Sequence, residues 1–487
     1  MADNPEMPPA SAGLIGRLVG VFISAVALAA AAVLWFAASS ESKSLAEPPQ
    51  ESLLLGFWDV FYDTDAPSIR AMVAAAALAV LLASAIALLE RRASNKSRRS
   101  WDPSSKPLAP KVVMAATRGV FAGPITVTVL IPAHNEEVSL PATLASLFAQ
   151  SRPPDRIIVV ADNCTDGTVS VARRAGVAVF ESVGNSKKKA GALNQALADV
   201  LPSQGDNDIV MVMDADTTID TGFLEAAAQR FTNDRALMAI GGLFYGEDGF
   251  GILGQLQRNE YVRYGREIGR RRGRVFVLTG TASMFRPAAL RAVAENRGLT
   301  LPGIQGDVYD TVALTEDNEL TIALKTLGAL MISPADCRVV TELMPTARTL
   351  WRQRLRWQRG ALENIGAYGV TGATLRYWAQ QVGISYSVVA LNSFFLLIVL
   401  TVLSVDRWIW FPFWLGIGSV FMVERVVTVW KGGWRARLLA ATLVPELLFD
   451  MYLDLVYVKG IIDVTLGRQA QWTHVVASGA DLGQEAA

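Results

Sequence analysis

Four groups of polar side chains in this sequence have types and spacings that suit chemistry on a charged ligand. They lie, in chain order, at Asp162, Asp214/Asp216, Thr315–Asp317 and Gln353–Trp357. Asp214 and Asp216 follow the apolar run 209–213, and two such carboxylates leaving a buried strand can converge on Mg²⁺ or Mn²⁺. The alternative is that one of these carboxylates caps the next helix. A lone Asp-x-Asp pair often arises by chance, so the pair alone does not decide between the two.

Asp162 and Lys189 are candidates for holding the rest of such a ligand. Asp162 follows the apolar run 156–160, and its carboxylate could accept hydrogen bonds from a base or a ribose. The alternative is a polar turn in which Asp166 or Thr168 caps the following helix. Lys189 stands at a predicted helix start, a place that suits an anion, although a lysine run is usually solvated.

Two later motifs could supply a base and a phosphate ligand. Asp317, beside Glu316, opens a segment with helical apolar spacing, so its carboxylate would be rigidly held for general-base work. Simple capping of that helix is the competing interpretation. Arg356 has the planar guanidinium that suits a diphosphate, whereas the basic segment around it could instead contact anionic lipid.

Alternating strand and helix patterns predict the framework that positions these residues. We predict strands at 125–131, 156–160, 177–180 and 209–213, and helices at 138–150, 169–175 and 190–200. Such alternation is typical of a mostly parallel α/β sheet with helices on both faces. Ligands bind such sheets at the carboxyl ends of the strands, where the first two acidic groups lie.

The composition excludes several classes of protein. The chain has 487 residues with 45 Lys+Arg and 45 Asp+Glu, so net charge gives no reason to expect a nucleic-acid partner. Two cysteines and two histidines are too few for a disulfide framework, a Cys/His metal cluster or a Ser-His-Asp hydrolase. An ATP-driven transporter would need a phosphate-binding Gly-x-x-x-x-Gly-Lys-Ser/Thr loop, which the sequence lacks.

Uncharged apolar runs predict membrane segments. We expect spans at 18–37 and 71–89, with the basic cluster 91–99 and the following domain in the cytoplasm. A second hairpin is expected at 384–403 and 408–423, and an amphipathic interfacial helix, rather than a span, at 438–466. The predicted division of the chain is 1–99, 100–345, 346–380, 381–425 and 426–487.

Taken in order, these motifs resemble the family-2 glycosyltransferases, in particular the membrane-embedded synthases of cellulose, hyaluronan, chitin and poly-N-acetylglucosamine. The resemblance covers about residues 120–370 and implies a GT-A fold, a Rossmann-like sheet, joined to a helical membrane bundle. It assigns Asp317 as the base within the motif that includes Glu316, and Asp214 and Asp216 as ligands of the metal and nucleotide. The other implied nucleotide-sugar ligands are Pro132, Ala133, Glu136, Asp162, Lys189, Gln353, Arg356 and Trp357. A looser match places the acceptor at Thr279, Gly280, Thr281 and Trp357.

The resemblance implies an inverting transfer from a UDP-sugar to a growing polysaccharide, with export through the protein's own spans as an extension of that expectation. The segment Lys189–Asn194 favours UDP-N-acetylglucosamine or a related hexose as donor. The alternative is transfer of one sugar to a polyprenyl phosphate or glycolipid. The expected cofactor is Mg²⁺ or Mn²⁺, and the expected partner surface is the lipid bilayer, in which the protein would be integral.

Overall fold

The computed structural model describes residues 50–54, 58–62, a few helical positions between 70 and 88, 123–271, 273–404 and 412–468. The chain divides into one unit of residues 1–96 and 393–418 and a second of 97–392 and 419–487. In the first unit, strands β1 (Gln50–Leu54) and β2 (Trp58–Tyr62) pair antiparallel. The predicted span 18–37 lies outside the described residues, as does most of 71–89.

The second unit is built on a seven-stranded sheet of order β11-β8-β10-β6-β3-β4-β5. Four of its neighbouring pairs are parallel, and only β10 runs antiparallel to its two neighbours. Its strands are β3 (Thr126–Ala133), β4 (Arg156–Ala161), β5 (Ala178–Glu181), β6 (Asp208–Met213), β8 (Leu237–Gly241), β10 (Ala282–Phe285) and β11 (Leu330–Ile332). The predicted mostly parallel α/β sheet is therefore confirmed.

Helices cover both faces of this sheet, because successive side chains of the buried strands point to opposite sides. On one face, Leu130, Val210 and Val212 pack in a core with three helices, α3 (Lys188–Val200), α6 (Pro287–Asn296) and α7 (Glu316–Thr326). On the other face, Val129, Met211 and Met213 pack with α1 (Leu140–Phe148) and α4 (Phe223–Asn233). A short helix, α2 (Thr168–Arg174), completes this layer.

A second, three-stranded sheet and a long helix connect this domain to the C-terminal helices. The sheet has the order β7 (Thr218–Ile219), β12 (Arg338–Thr341), β9 (Leu243–Gly246). The long helix is α5 (Gly251–Arg270), and the C-terminal helices are α8 (Ala347–Tyr368), α9 (Leu375–Ser404), α10 (Pro412–Thr428), α11 (Gly433–Ala441) and α12 (Val444–Thr465).

The membrane predictions have a mixed outcome. Among the described residues, no helix combines the length and the apolar character that crossing a bilayer requires. The hairpin predicted at 384–403 and 408–423 overlaps α9 and α10, apart from 408–411, which lie outside the described residues. Its membrane-spanning character stays a prediction. The single helix predicted at 438–466 is wrong in its extent. The structure has two helices there, because the backbone turns at Leu443, whose φ of 58° is left-handed.

Helix α12 turns several acidic side chains toward the protein, and its interfacial character stays a prediction. Glu446 is 1% exposed and pairs with Arg263 and Arg425, while Asp450 pairs with Arg425 at 2.5 Å. Asp454 accepts a hydrogen bond from Asn392 at 3.1 Å. The acids therefore face the protein, and the exposed side carries Val444, Leu448, Leu455, Ile462 and Leu466.

Candidate active site

The loops that follow β3 and β4 are hydrogen-bonded to each other at the carboxyl end of the sheet. The Glu136 amide donates to Thr168 Oγ1 at 2.8 Å, and the Glu137 amide donates to Asp166 Oδ2 at 3.0 Å. In return, Glu137 Oε2 accepts from the Gly167 amide at 2.8 Å. This exchange fixes the loop after Pro132 and Ala133, the last residues of β3, beside the loop after β4.

Asp162 is buried at the end of β4, and its carboxylate organises the adjacent loop. Asp162 Oδ1 accepts hydrogen bonds from Ser182 Oγ at 2.6 Å, Asn185 Nδ2 at 2.8 Å and Asn163 Nδ2 at 3.0 Å. Asp166 Oδ1 accepts from the Thr168 amide at 3.0 Å, although the N-cap residue of α2 is Gly167, which has no side chain to cap the helix. Asp162 takes no part in the start of α2, and its carboxylate instead binds the loop after β5.

Lys189 joins two of the acidic motifs. Its ammonium group lies 2.6 Å from Asp214 Oδ1 and 2.9 Å from Glu316 Oε1, with all three side chains less than a third exposed. Lys189 comes from the first turn of α3, Asp214 follows β6, and Glu316 opens α7. Three elements that are distant in sequence are thereby held together by one cation.

Asp317 is held beside the loop 279–281 by backbone donors. Its Oδ2 accepts from the Gly280 amide at 3.0 Å, and its Oδ1 accepts from the Asn318 amide at 2.7 Å. A Cβ at position 280 would lie 3.3 Å from Asp317 Oδ2, so glycine permits this close approach. The Asp214 amide donates to the Thr281 carbonyl at 3.0 Å, so the loop 279–281 is fixed between Asp214 and Asp317.

The crowding of acids in this cleft shifts their proton affinities. Burial, together with neighbouring Glu316, raises the pKa of Asp317 to about 6, although Lys189 opposes the shift. Burial also raises the pKa of Asp214 to about 6, with Lys189 opposing and Asp216 reinforcing the shift. The pKa of Glu316 is lowered despite burial, because Lys189 stabilises its carboxylate.

A second set of carboxylates surrounds Asp216. Desolvation by the surrounding protein and the charge of Glu136 raise the pKa of Asp216, although this residue is solvent-exposed. Burial with the charges of Asp216, Glu247 and Glu136 raises the pKa of Glu342 to about 7. Within the described part of the chain, no three or more His, Cys, Asp or Glu side chains are arranged to hold a metal ion by themselves. The oxygen donors and their mutual repulsion nevertheless fit a hard divalent cation whose remaining ligands are phosphate oxygens and water.

Helix α8 brings the segment Gln353–Trp357 toward the same cleft. Asn364 Nδ2 donates to the Thr315 carbonyl at 3.2 Å, and a Cβ at Gly360 would lie 2.5 Å from Thr315 Oγ1. Thr315 immediately precedes the acidic pair, so α8 is anchored next to Glu316. The charge of Arg356 contributes, after the larger effect of Lys189, to the lowered pKa of Glu316 and, after burial, to the lowered pKa of Lys188.

The other predicted site residues are the proposed acceptor loop 279–281 and two residues of α8, Gln353 and Trp357. Thr279 is buried and donates to the Gly242 carbonyl at 3.2 Å, and Thr281 donates to Thr279 at 3.1 Å. Gln353 Oε1 is buried and accepts no hydrogen bond from any residue that the structure describes. Trp357 packs against the guanidinium of Arg354.

Residues that the sequence did not single out also line the cleft. A small cavity beneath it is bounded by Lys189, Glu316, Asp317 and the buried Tyr309. The backbone of Tyr309 is held by Asn194, whose Oδ1 accepts from the Tyr309 amide at 2.8 Å and whose Nδ2 donates to its carbonyl at 2.9 Å. Tyr309 lies in a loop without helical or strand periodicity, so no sequence pattern marked it. Glu342 likewise follows a strand too short to recognise.

Acidic motifs at the strand ends and a cation that connects them thus belong to a GT-A-like α/β domain. Residues 128–294 match the model of the family described as Glycosyl transferase family 2. This part of the chain therefore matches the family that the sequence motifs resemble.

The chain spans about half the length of the curated relatives that it matches. It is 27% identical to poly-β-1,6-N-acetyl-D-glucosamine synthase of Staphylococcus aureus over 244 residues, 49% of this chain and 55% of that protein. A probable glycosyltransferase of Bacillus subtilis, YdaM, is 30% identical over 249 residues, 48% of this chain and 54% of that protein. A mannosyltransferase from Pyrobaculum calidifontis, solved with GDP-Man and Mn²⁺, shares 17% identity at a TM-score of 0.48, covering 78% of this chain and 95% of its own.

Replacing Lys189 by Met should destabilise the protein in a pH-dependent way. At pH 8 the variant leaves Asp214 and Glu316 ionised in the cleft without their cation, which we expect to cost about 1–2 kcal/mol. Protonation of these carboxylates removes the repulsion, so the deficit should shrink as the pH falls from 8 to 5. The measurement is the thermal midpoint of the full chain at each pH. Exposed Lys187, replaced by Met, is the control, and a deficit independent of pH would contradict the bridging role.

Proposed function

We propose that this protein is an inverting glycosyltransferase that moves a sugar from a UDP-sugar to a growing polysaccharide at a membrane. The observation that carries the proposal is the pair of ionic contacts from Lys189 to Asp214 and Glu316. These contacts join the motif proposed to bind the nucleotide and metal to the motif proposed to contain the general base. The family-2 domain at 128–294 and the similarity to a poly-N-acetylglucosamine synthase support it. We favour UDP-N-acetylglucosamine as donor on the same similarity and on the segment Lys189–Asn194.

In this proposal the uridine lies against the loops after β3 and β4. Pro132, Ala133 and Glu136 come from the first loop and Asp162 from the second, and the hydrogen bonds between the loops hold them in place. The diphosphate lies farther along the strand ends. Arg356 on α8 is the proposed ligand of the diphosphate, because a guanidinium group can donate two hydrogen bonds to phosphate oxygens. Gln353 would have to contact the same ligand through its side-chain NH₂ group, because phosphate oxygens accept hydrogen bonds and the Gln353 Oε1 atom can only accept.

Asp214 and Asp216 would hold Mg²⁺ or Mn²⁺ together with the diphosphate. A divalent cation bound there would neutralise the charge that develops on the leaving diphosphate. The raised pKa values of Asp214 and Asp216 reflect desolvation and carboxylate repulsion that such a charge would relieve. Lys189 already holds one oxygen of Asp214, so it also fixes the orientation of that ligand.

Asp317 is the proposed general base. An acceptor hydroxyl would give its proton to Asp317 while its oxygen forms the bond to the anomeric carbon. The bond from that carbon to the diphosphate oxygen breaks, and its electron pair leaves with the UDP. The Gly280 and Asn318 amides hold the Asp317 carboxylate, and the loop Thr279–Thr281 beside it is the proposed acceptor contact.

A transfer assay on the purified full chain tests this proposal. Radiolabelled UDP-sugars are supplied with Mn²⁺, and the products are separated by size. We expect one UDP-sugar, UDP-N-acetylglucosamine first, to yield long product, and Asp317→Asn to lose about 10²–10⁴-fold in rate while still binding UDP. Short, lipid-extractable product would favour the alternative of single transfer to a polyprenyl phosphate or glycolipid. Wild-type rates in a folded Asp317→Asn variant would contradict the role of Asp317.

The rate should depend on the ionisation of Asp317. Its pKa is raised to about 6, so the carboxylate is mostly ionised at pH 7.5 and mostly protonated at pH 5. A protonated carboxyl group cannot accept the acceptor proton, so kcat/KM, which follows the ionisation of the free enzyme, should fall as the pH decreases through about 6. A kcat/KM that stays constant from pH 7.5 to pH 5 would contradict Asp317 as the base.

We also propose that the protein is integral to a membrane with the catalytic domain on the cytoplasmic side. The apolar sequence at 18–37 and 71–89 and the exposed apolar side of α12 support this. Trp434 on α11 is 67% exposed, and amphipathic side chains of this kind favour the membrane interface.

Membrane fractionation tests this location. The full chain should sediment with membranes, resist extraction by alkaline carbonate and dissolve in detergent. Release by carbonate or high salt alone would contradict integral insertion.

A further inference from the structure

Helix α5 carries four polar side chains, Gln257, Asn259, Glu260 and Arg263, which we call the polar stripe and which take no part in the proposed chemistry. Its side chains contact the two segments that flank it. Gln257 binds both the amide and the carbonyl of Met344, just before α8, at 3.1 and 2.9 Å. Asn259 donates to Glu446 Oε1 on α12 at 2.8 Å, and Arg263 pairs with the same carboxylate. The stripe is therefore held firmly from both sides.

The same stripe reaches into the segment Gln353–Trp357 through Glu260. Glu260 Oε2 lies 2.8 Å from the guanidinium of Arg354, the second residue of that segment. Arg354 is only 3% exposed, so its charge is removed from water and requires a counter-ion. Tyr261, the next residue of α5, adds its ring at 5.6 Å from the guanidinium carbon.

Arg354 in turn packs directly against Trp357. The guanidinium carbon lies 4.2 Å from the centre of the Trp357 ring, within the range of a cation–π contact. The two residues are three apart on α8, so they are neighbours on one helical face. The orientation of the Trp357 ring therefore depends on where Glu260 places the guanidinium.

We propose that Glu260 and Arg354 are positioning residues that set the orientation of Trp357 for the acceptor sugar. This inference rests on the proposed function, which assigns the acceptor contact to Trp357. Glu260 on α5 holds the guanidinium of Arg354, and that guanidinium packs against Trp357. The Trp357 ring is thereby held in one orientation when the acceptor binds. Misplacement of about 1 Å at a distance from the reacting atoms is enough to reduce a rate strongly.

Glu260→Gln tests the inference by separating donor from acceptor effects. We expect the KM for a β-linked N-acetylglucosamine oligomer to rise by about tenfold to a hundredfold, with UDP affinity unchanged by calorimetry. The matched control is Glu363→Gln, which breaks the pair between Glu363 and Arg359 on the same helix, at 2.5 Å, without contacting Trp357. The control should keep the wild-type acceptor KM.

The charge-swapped double variant Glu260→Arg/Arg354→Glu distinguishes positioning from simple stabilisation. The swap restores an ion pair between α5 and α8 but leaves no cation against Trp357. The thermal midpoint should recover while the acceptor KM stays high. Recovery of both, or an unchanged acceptor KM in folded Glu260→Gln, would overturn the inference while leaving the Asp317 assay intact. A wild-type protein that bound no acceptor oligomer would instead refute the proposed function and, with it, this inference.

Discussion

Lys189 is the cation on which the geometry of the cleft depends. Asp214, Glu316 and Asp317 approach one another from separate elements, and without a positive charge their repulsion would force them apart or protonate them. The ammonium group is 2.6 Å from one carboxylate and 2.9 Å from another, so it satisfies two of the three acids. Asp317 is held by backbone donors instead, and burial together with the charge of Glu316 raises its pKa.

The rest of the structure supports this arrangement by fixing the elements that carry the charges. The parallel strands β3, β4 and β6 bring their carboxyl ends to one edge, where Asp162 and Asp214 follow them. Helix α8 is brought close to Thr315 by the absence of a side chain at Gly360. Helix α5 then connects α8 with α12 through Glu260 and Asn259.

Much of the catalytic domain follows from sequence patterns, because buried strands and amphipathic helices have clear periodicities. The predicted strand at 209–213 corresponds to β6, and the helix predicted at 190–200 corresponds to most of α3. Contacts between side chains did not follow from the patterns. Nothing in the sequence connects Lys189 to Glu316, or Glu260 to Arg354, because both contacts join residues more than 90 positions apart.

The C-terminal region shows a different limit of sequence reasoning. The acids at 446, 450 and 454 have helical spacing, but their partners on α5, α9 and α10 do not follow from the sequence. The break at Leu443 was missed, because a left-handed leucine has no sequence signature. Tyr309 was missed for a related reason, since its place in the cleft depends on two hydrogen bonds to Asn194.

An experimental structure of the full chain with UDP and Mn²⁺ tests the central claim most directly. The account predicts uridine against Asp162, the diphosphate and metal at Asp214 and Asp216, and Lys189 still joined to Asp214 and Glu316, with Arg356 facing the diphosphate. Nucleotide bound on another face of the sheet, or Lys189 separated from both acids in the complex, would contradict it.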